Sequence, residues 1–121
     1  MKRADLDLVQ HQVNEGTTYT PDQLQYGQPE YWAEARGRGD CEDYAIAKAH
    51  RLLNLGWPVE ALRFGLCVTE TGVLHCVLLA DLGGQTWVLD NRYPHVMAYQ
   101  DVPYAWSALQ VAGTSRFVLP A

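Results

Sequence analysis

The stretch 37-GRGDCEDYAIAKAHRLLNLG-56 decides how this chain is read. Asp40 stands where a helix N-cap stands, and Cys41, Ala45, Ala49 and Leu52 then fall on one stripe at helical spacing. Gly56 supplies a stop, and Pro58 lies just beyond it. The pattern predicts a helix beginning at Cys41, with the thiol in its first turn and on its buried side. Asp40, Glu42 and Asp43 crowd that thiol with carboxylates. Negative charge opposes thiolate formation, so a cysteine in such company calls for an explanation that packing alone does not give.

Upstream, residues 5–14 (DLDLVQHQVN) place Leu6, Val9 and Val13 at helical spacing, and Gly16 ends the run. Residues 17–32 (TTYTPDQLQYGQPEYW) carry no clean period and read as a long loop with a short helix after Pro21. Downstream, LRFGLCVTE, GVLHCVLLADL and TWVLDNRY are rich in β-branched and aromatic residues and are punctuated by Thr71-Gly72 and Gly83-Gly84. They predict an antiparallel meander, to which RFVLP near the C-terminus adds one strand. The whole is an α+β chain, and its 121 residues suit a single domain over 1–121.

Composition narrows the partners. Nine basic residues against fourteen acidic ones give a net charge of -5, with no Lys/Arg cluster to meet a phosphate backbone, so nucleic acid is excluded. No apolar run approaches membrane-spanning length, so no membrane insertion is expected. The opening MKRADLDLVQ has no apolar stretch after its basic start and is not a signal peptide as written. A cytoplasmic or phage-associated location is the default expectation, and a periplasmic one would need another export route. Oligomeric state leaves no trace in the sequence. The three cysteines, Cys41, Cys67 and Cys76, are odd in number and lack metal-ligand spacing, which leaves at least one free thiol.

The meander carries a geometric expectation. A two-residue turn at Thr71-Gly72 sets Cys67 opposite Cys76, and a turn at the middle of DLGG sets His75 opposite Asp90. Paired residues share a face. His75 and Asp90 would then be neighbours on the side covered by the helix, which delivers Cys41 there. A stripe cysteine, a strand histidine and an aspartate after WVL each have an ordinary structural reading. Their convergence is what nucleophilic thiol chemistry requires: Cys41 to attack, His75 to move the proton and Asp90 to orient the imidazole.

GRGDCEDYAIAKAHRLLNLGWPVEALRF, followed by LHCVLLAD and WVLDN, resembles the bacterial transglutaminase-like cysteine proteinases. The likeness runs from about VQHQVN through YGQPEYW to LDNRYP. It implies a papain/transglutaminase-like core, a nucleophile helix packed on an antiparallel sheet. It also implies a cysteine endopeptidase that acts on a protein or peptide substrate through Cys41, His75, Asp90 and an acyl-thioester. Amidase or transglutaminase-type acyl transfer on peptidoglycan peptides or proteins is the alternative within the same chemistry, and a non-catalytic binding module is the alternative outside it. The best-known members are calcium-dependent periplasmic proteases that cut a surface adhesin. Asp40 and Glu42 match family positions implicated in calcium binding, so the acids beside the thiol are expected to hold Ca2+, with Asp43 as a further ligand. Trp32 matches an aromatic position of the family and is expected in the core or at the cleft.

Overall fold

The protein, described by a computed structural model, is defined over residues 1–16, 18–19 and 38–119, with side chains for 1–16 and 40–119. The loop expected over 17–32, its short helix and Trp32 lie outside the described residues. Among the described residues are two α-helices and two sheets, besides two single 3-10 turns: α1 (Arg3–Gly16), β1 (Thr18–Tyr19), β2 (Arg38–Gly39), α2 (Cys41–Asn54), β3 (Leu62–Val68), β4 (Leu74–Leu82), β5 (Gln85–Leu89), β6 (Met97–Ala98), β7 (Ala105–Gln110) and β8 (Phe117–Val118). The short β1 and β2 pair in parallel. The main sheet has six antiparallel strands in the order β6-β5-β4-β3-β7-β8.

Helix α2 starts where its cap residue requires. The Asp40 carboxylate accepts the Asp43 amide at 3.3 Å, and the Asp43 carboxylate accepts the Asp40 amide at 3.4 Å, a reciprocal capping box. Gly56, at φ 95°, takes the left-handed conformation that ends the helix at little steric cost. Leu6, Val9 and Val13 of α1 and Ala45, Ala49 and Leu52 of α2 are buried, as their spacing predicts. They pack on Cys76, Leu78 and Ala80 of β4 and on Leu89 of β5. The opposite face of the sheet has its own apolar cluster of Cys67, Val77, Leu79, Val88, Val102 and Tyr104. We call these the helix face and the open face.

Three expectations about the sheet need correction. Cys67 pairs with His75 and Leu66 with Cys76, so Cys67 and Cys76 are not opposite each other. The cause is the turn: Thr69 bonds to Val73 across Glu70-Thr71-Gly72, one residue more than a two-residue turn. Next, β5 turns about Gly83-Gly84, which pairs Leu78 with Leu89 and so shifts the register by two residues from the expected one. An even shift preserves the face, and His75 and Asp90 still share one. That face is the open one, so the pair does not share the helix face against which Cys41 packs, and Cys41 meets β4 at the backbone of Cys76 instead. Small Cys76 and Ala80 admit Ala45 and Ala49 of α2, which leaves His75, Val77 and Leu79 to point the other way. The meander β3-β4-β5 itself forms as expected, and β7 extends the sheet by pairing with β3 on the far side from β4.

Candidate active site

His75 on β4 and Asp90, the residue just past the end of β5, come together. His75 Nε2 and Asp90 Oδ1 are 2.8 Å apart, with the side chains 7% and 2% exposed. Oδ1 also accepts the Arg92 amide at 2.9 Å, and Oδ2 accepts the Tyr104 hydroxyl. Burial pushes the Asp90 carboxyl up, but the hydrogen bond and charge of His75, helped by Tyr104 and the Arg92 amide, outweigh it and hold the group below its ordinary value. The carboxylate is ionised and its two oxygens are fixed. The Tyr104 ring meets the His75 ring edge-on, with centroids 5.7 Å apart.

Asp90 is held by its backbone as well. Gln10 Nε2 donates to the carbonyl oxygens of Asp90 and Tyr93, both at 2.8 Å, and Asn14 Nδ2 donates to the same pair at 3.1 Å. Behind them, the buried Lys48 Nζ donates to Gln10 Oε1 at 2.7 Å. Burial pulls the Lys48 ammonium down to about 7, against an opposing pull from the Asp90 charge.

Cys41 is the first residue of α2 and is half-buried against the helix-face core. Burial pushes its thiol up to about 12, and Glu42 and Asp40 push the same way. The Cys76 amide, one residue past His75 in β4, and the Glu42 amide at the helix start act in the opposite sense. The thiol therefore rests protonated beside the strand that carries His75. Cys67 and Cys76 are free as well and fully buried.

A cavity of about 370 Å³ opens beside His75, lined by Thr69, Thr71, Val73, Asn91 and Arg92. A second groove of about 420 Å³ lies between the outer end of α2 and β3, bordered by Leu53, Val59 and Phe64, and none of Cys41, His75 and Asp90 lines it. Of the two, the first is the one that His75 lines. Of the expected calcium ligands, Asp40 and Asp43 use one carboxylate oxygen each in the capping box. Among the described residues no group of three or more His, Cys, Asp or Glu side chains is arranged around a metal position. No described helix is long and apolar enough to cross a membrane.

The sequence reading passed over Gln10, Asn14, Lys48 and Tyr104. A polar Gln10 beside Val9 and Val13 on the buried stripe of α1 is a signal that could have been read, since a buried amide must find partners.

The profile of the bacterial transglutaminase-like cysteine proteinases matches residues 1–118. The chain belongs to that family. It is accordingly a cysteine peptidase, a hydrolase whose substrates are proteins or peptides. Three solved structures of Legionella pneumophila LapG share its fold. The calcium-bound form has a TM-score of 0.80 at 22% identity, over 97% of this chain and 68% of LapG. A second LapG structure gives 0.78 over the same shares, again at 22% identity. The EGTA-treated form gives 0.80 at 22% identity over 98% of this chain and 67% of LapG. At that identity the likeness is one of fold: two helices against an antiparallel sheet, the transglutaminase-like arrangement. No curated protein sequence matches the chain.

Proposed function

We propose that this proteinase cleaves peptide bonds through Cys41, His75 and Asp90, with an acyl-thioester as the intermediate. The observation that carries the reading is the buried His75–Asp90 pair, with Cys41 at the helix start beside the next residue of the same strand. Asp90 occupies Nε2 of His75, so Nδ1 is the nitrogen left to exchange a proton with Cys41. Because the thiol rests protonated, the proton leaves as the sulfur attacks the scissile carbonyl carbon, and His75 takes it. The tetrahedral intermediate expels the amine, which takes the proton from His75, and the acyl group stays on sulfur. Water then gives a proton to His75 and attacks the thioester, which releases the carboxylate product and restores the thiol. Asp90 stabilises the imidazolium at each stage.

Calcium belongs to the same proposal. Asp40, Glu42 and Asp43 offer only carboxylate oxygens, the donors a hard divalent cation takes. A bound Ca2+ would offset the charges of Glu42 and Asp40 that raise the Cys41 thiol. That LapG has been solved with calcium bound supports this reading. Excess EGTA is expected to lower both the melting temperature and peptidase activity. An unchanged melting curve, with no metal in the purified protein, would overturn the calcium reading.

The function itself is tested on a mixture of denatured proteins, with released peptides identified by mass spectrometry. New termini should form with the wild-type chain and be absent with Cys41→Ala at an equal melting temperature. Equal release by both would remove Cys41 from the reaction.

A further inference from the structure

The carboxylate of Asp90 has a neighbour that this reaction scheme does not use. Tyr104 donates to Oδ2, the oxygen His75 leaves open. The phenol oxygen in turn accepts from Arg92 Nη1 at 3.2 Å, and the Arg92 guanidinium is clamped by both oxygens of Glu70 at 2.7 and 3.1 Å. A continuous line of contacts therefore runs from exposed Glu70 to the buried carboxylate.

A backbone irregularity aims Tyr104 at this place. Leu66 pairs with Ala108 and Cys67 with Trp106, so Ser107 is an extra residue, a β-bulge in β7. Past a bulge the alternation of faces is reset. Trp106 and Leu109 consequently both pack on the open face, and Tyr104, two residues before Trp106, joins them. Without the extra residue Tyr104 would point toward the helices. Gly65 completes the arrangement: a Cβ there would come within 2.9 Å of the Trp106 ring, and that ring packs edge-on against Tyr104 at 6.0 Å.

We propose that Tyr104 is a positioning residue for the reaction, its hydroxyl holding the Asp90 carboxylate against His75 while Arg92 orients the phenol. The proposal rests on the Cys41, His75, Asp90 reading. A donor on Oδ2 stops rotation of the carboxylate, keeps Oδ1 on Nε2, and favours the charged form. The charged and titratable groups around Asp90 are His75 from β4, Cys67 from β3, Lys48 from α2, and Tyr104, Arg92 and Glu70 from the loops. Of these, the Tyr104 hydroxyl can be deleted with its ring kept.

The test follows Cys41 alkylation by iodoacetamide against pH in the full chain, with the modified site read by mass spectrometry. Tyr104→Phe should slow alkylation at pH 7 by about tenfold, the effect of one hydrogen bond to a charged group, and should move the acid limb to higher pH. Its melting temperature should stay within a few degrees of wild type. Replacing Tyr104 by 3,5-difluorotyrosine, a stronger donor of the same shape, should move the limb to lower pH, and this variant decides the matter if Tyr104→Phe folds poorly. His75→Ala is the reference. If it slows alkylation while both Tyr104 variants keep the wild-type rate and limb, the positioning role is wrong and the triad stands. If His75→Ala alkylates as fast as wild type, the triad reading itself fails.

Discussion

Asp90 is gripped from both faces of the sheet, by groups of different kinds. From the helix face, the neutral amides of Gln10 and Asn14 take its backbone carbonyl, with Lys48 behind them. From the open face, His75, Tyr104 and the Arg92 amide take its carboxylate. The first set fixes where the residue is, and the second fixes which way its charge points. Location and charge are thus supported by separate layers of the protein, and substitutions should separate stability from chemistry accordingly.

The widest separation is expected at Asp90 itself. Asp90→Asn keeps the backbone contacts but removes the charge, so peptide release should fall by about four powers of ten with the melting temperature nearly unchanged. A variant as active as wild type would break the comparison. Leu52→Ala should do the reverse. It removes a fully buried side chain from the helix face and should cost about 2–5 kcal/mol in urea unfolding, with the Cys41 alkylation rate of the folded protein unaltered.

Lys48 sharpens the contrast through pH. Its folded value of about 7 lies below its ordinary 10.5, so between these limits the unfolded chain binds more protons and stability rises with pH. The raised thiols work the other way only as pH passes their ordinary 9.0, which leaves pH 7 to 8.5 as the clean window. Unfolding free energy should climb there by up to about 2 kcal/mol, and Lys48→Met should flatten the slope. An equally steep slope in that variant would show that another group is responsible. The smallest effect belongs to the surface end of the Tyr104 line. Arg92 and Glu70 are 30% and 43% exposed, so solvent screens the pair and Glu70→Gln should leave the midpoint of a chemical melt essentially where it is, at low and high salt alike.

Both helices were legible because their information is local. Asp40 caps, Gly56 stops, and the stripes of Leu6, Val9 and Val13 and of Ala45, Ala49 and Leu52 repeat at the helical period. The His75–Asp90 pairing also survived a misjudged turn, since a shift of two residues keeps both on one face. What stayed hidden depends on comparison between distant parts. Cys76-Val77-Leu78-Leu79 is apolar on both sides, and only the alanines of α2 select which side the helices cover. The bulge at Ser107 erases the alternation that would have announced β7, and with it the position of Tyr104. A turn longer by one residue than its Thr-Gly signal suggests moved Cys67 away from Cys76.

The unequal burial of the three thiols also bears on how long the protein lasts. Peroxides and small electrophiles consume accessible thiolates far faster than buried thiols. Cys67 and Cys76 are buried and burial pushes their thiols up, which shields both sulfurs from such reagents, whereas Cys41 is half-buried at a helix start. Oxidative loss of activity should therefore follow modification of Cys41, with the two core thiols intact.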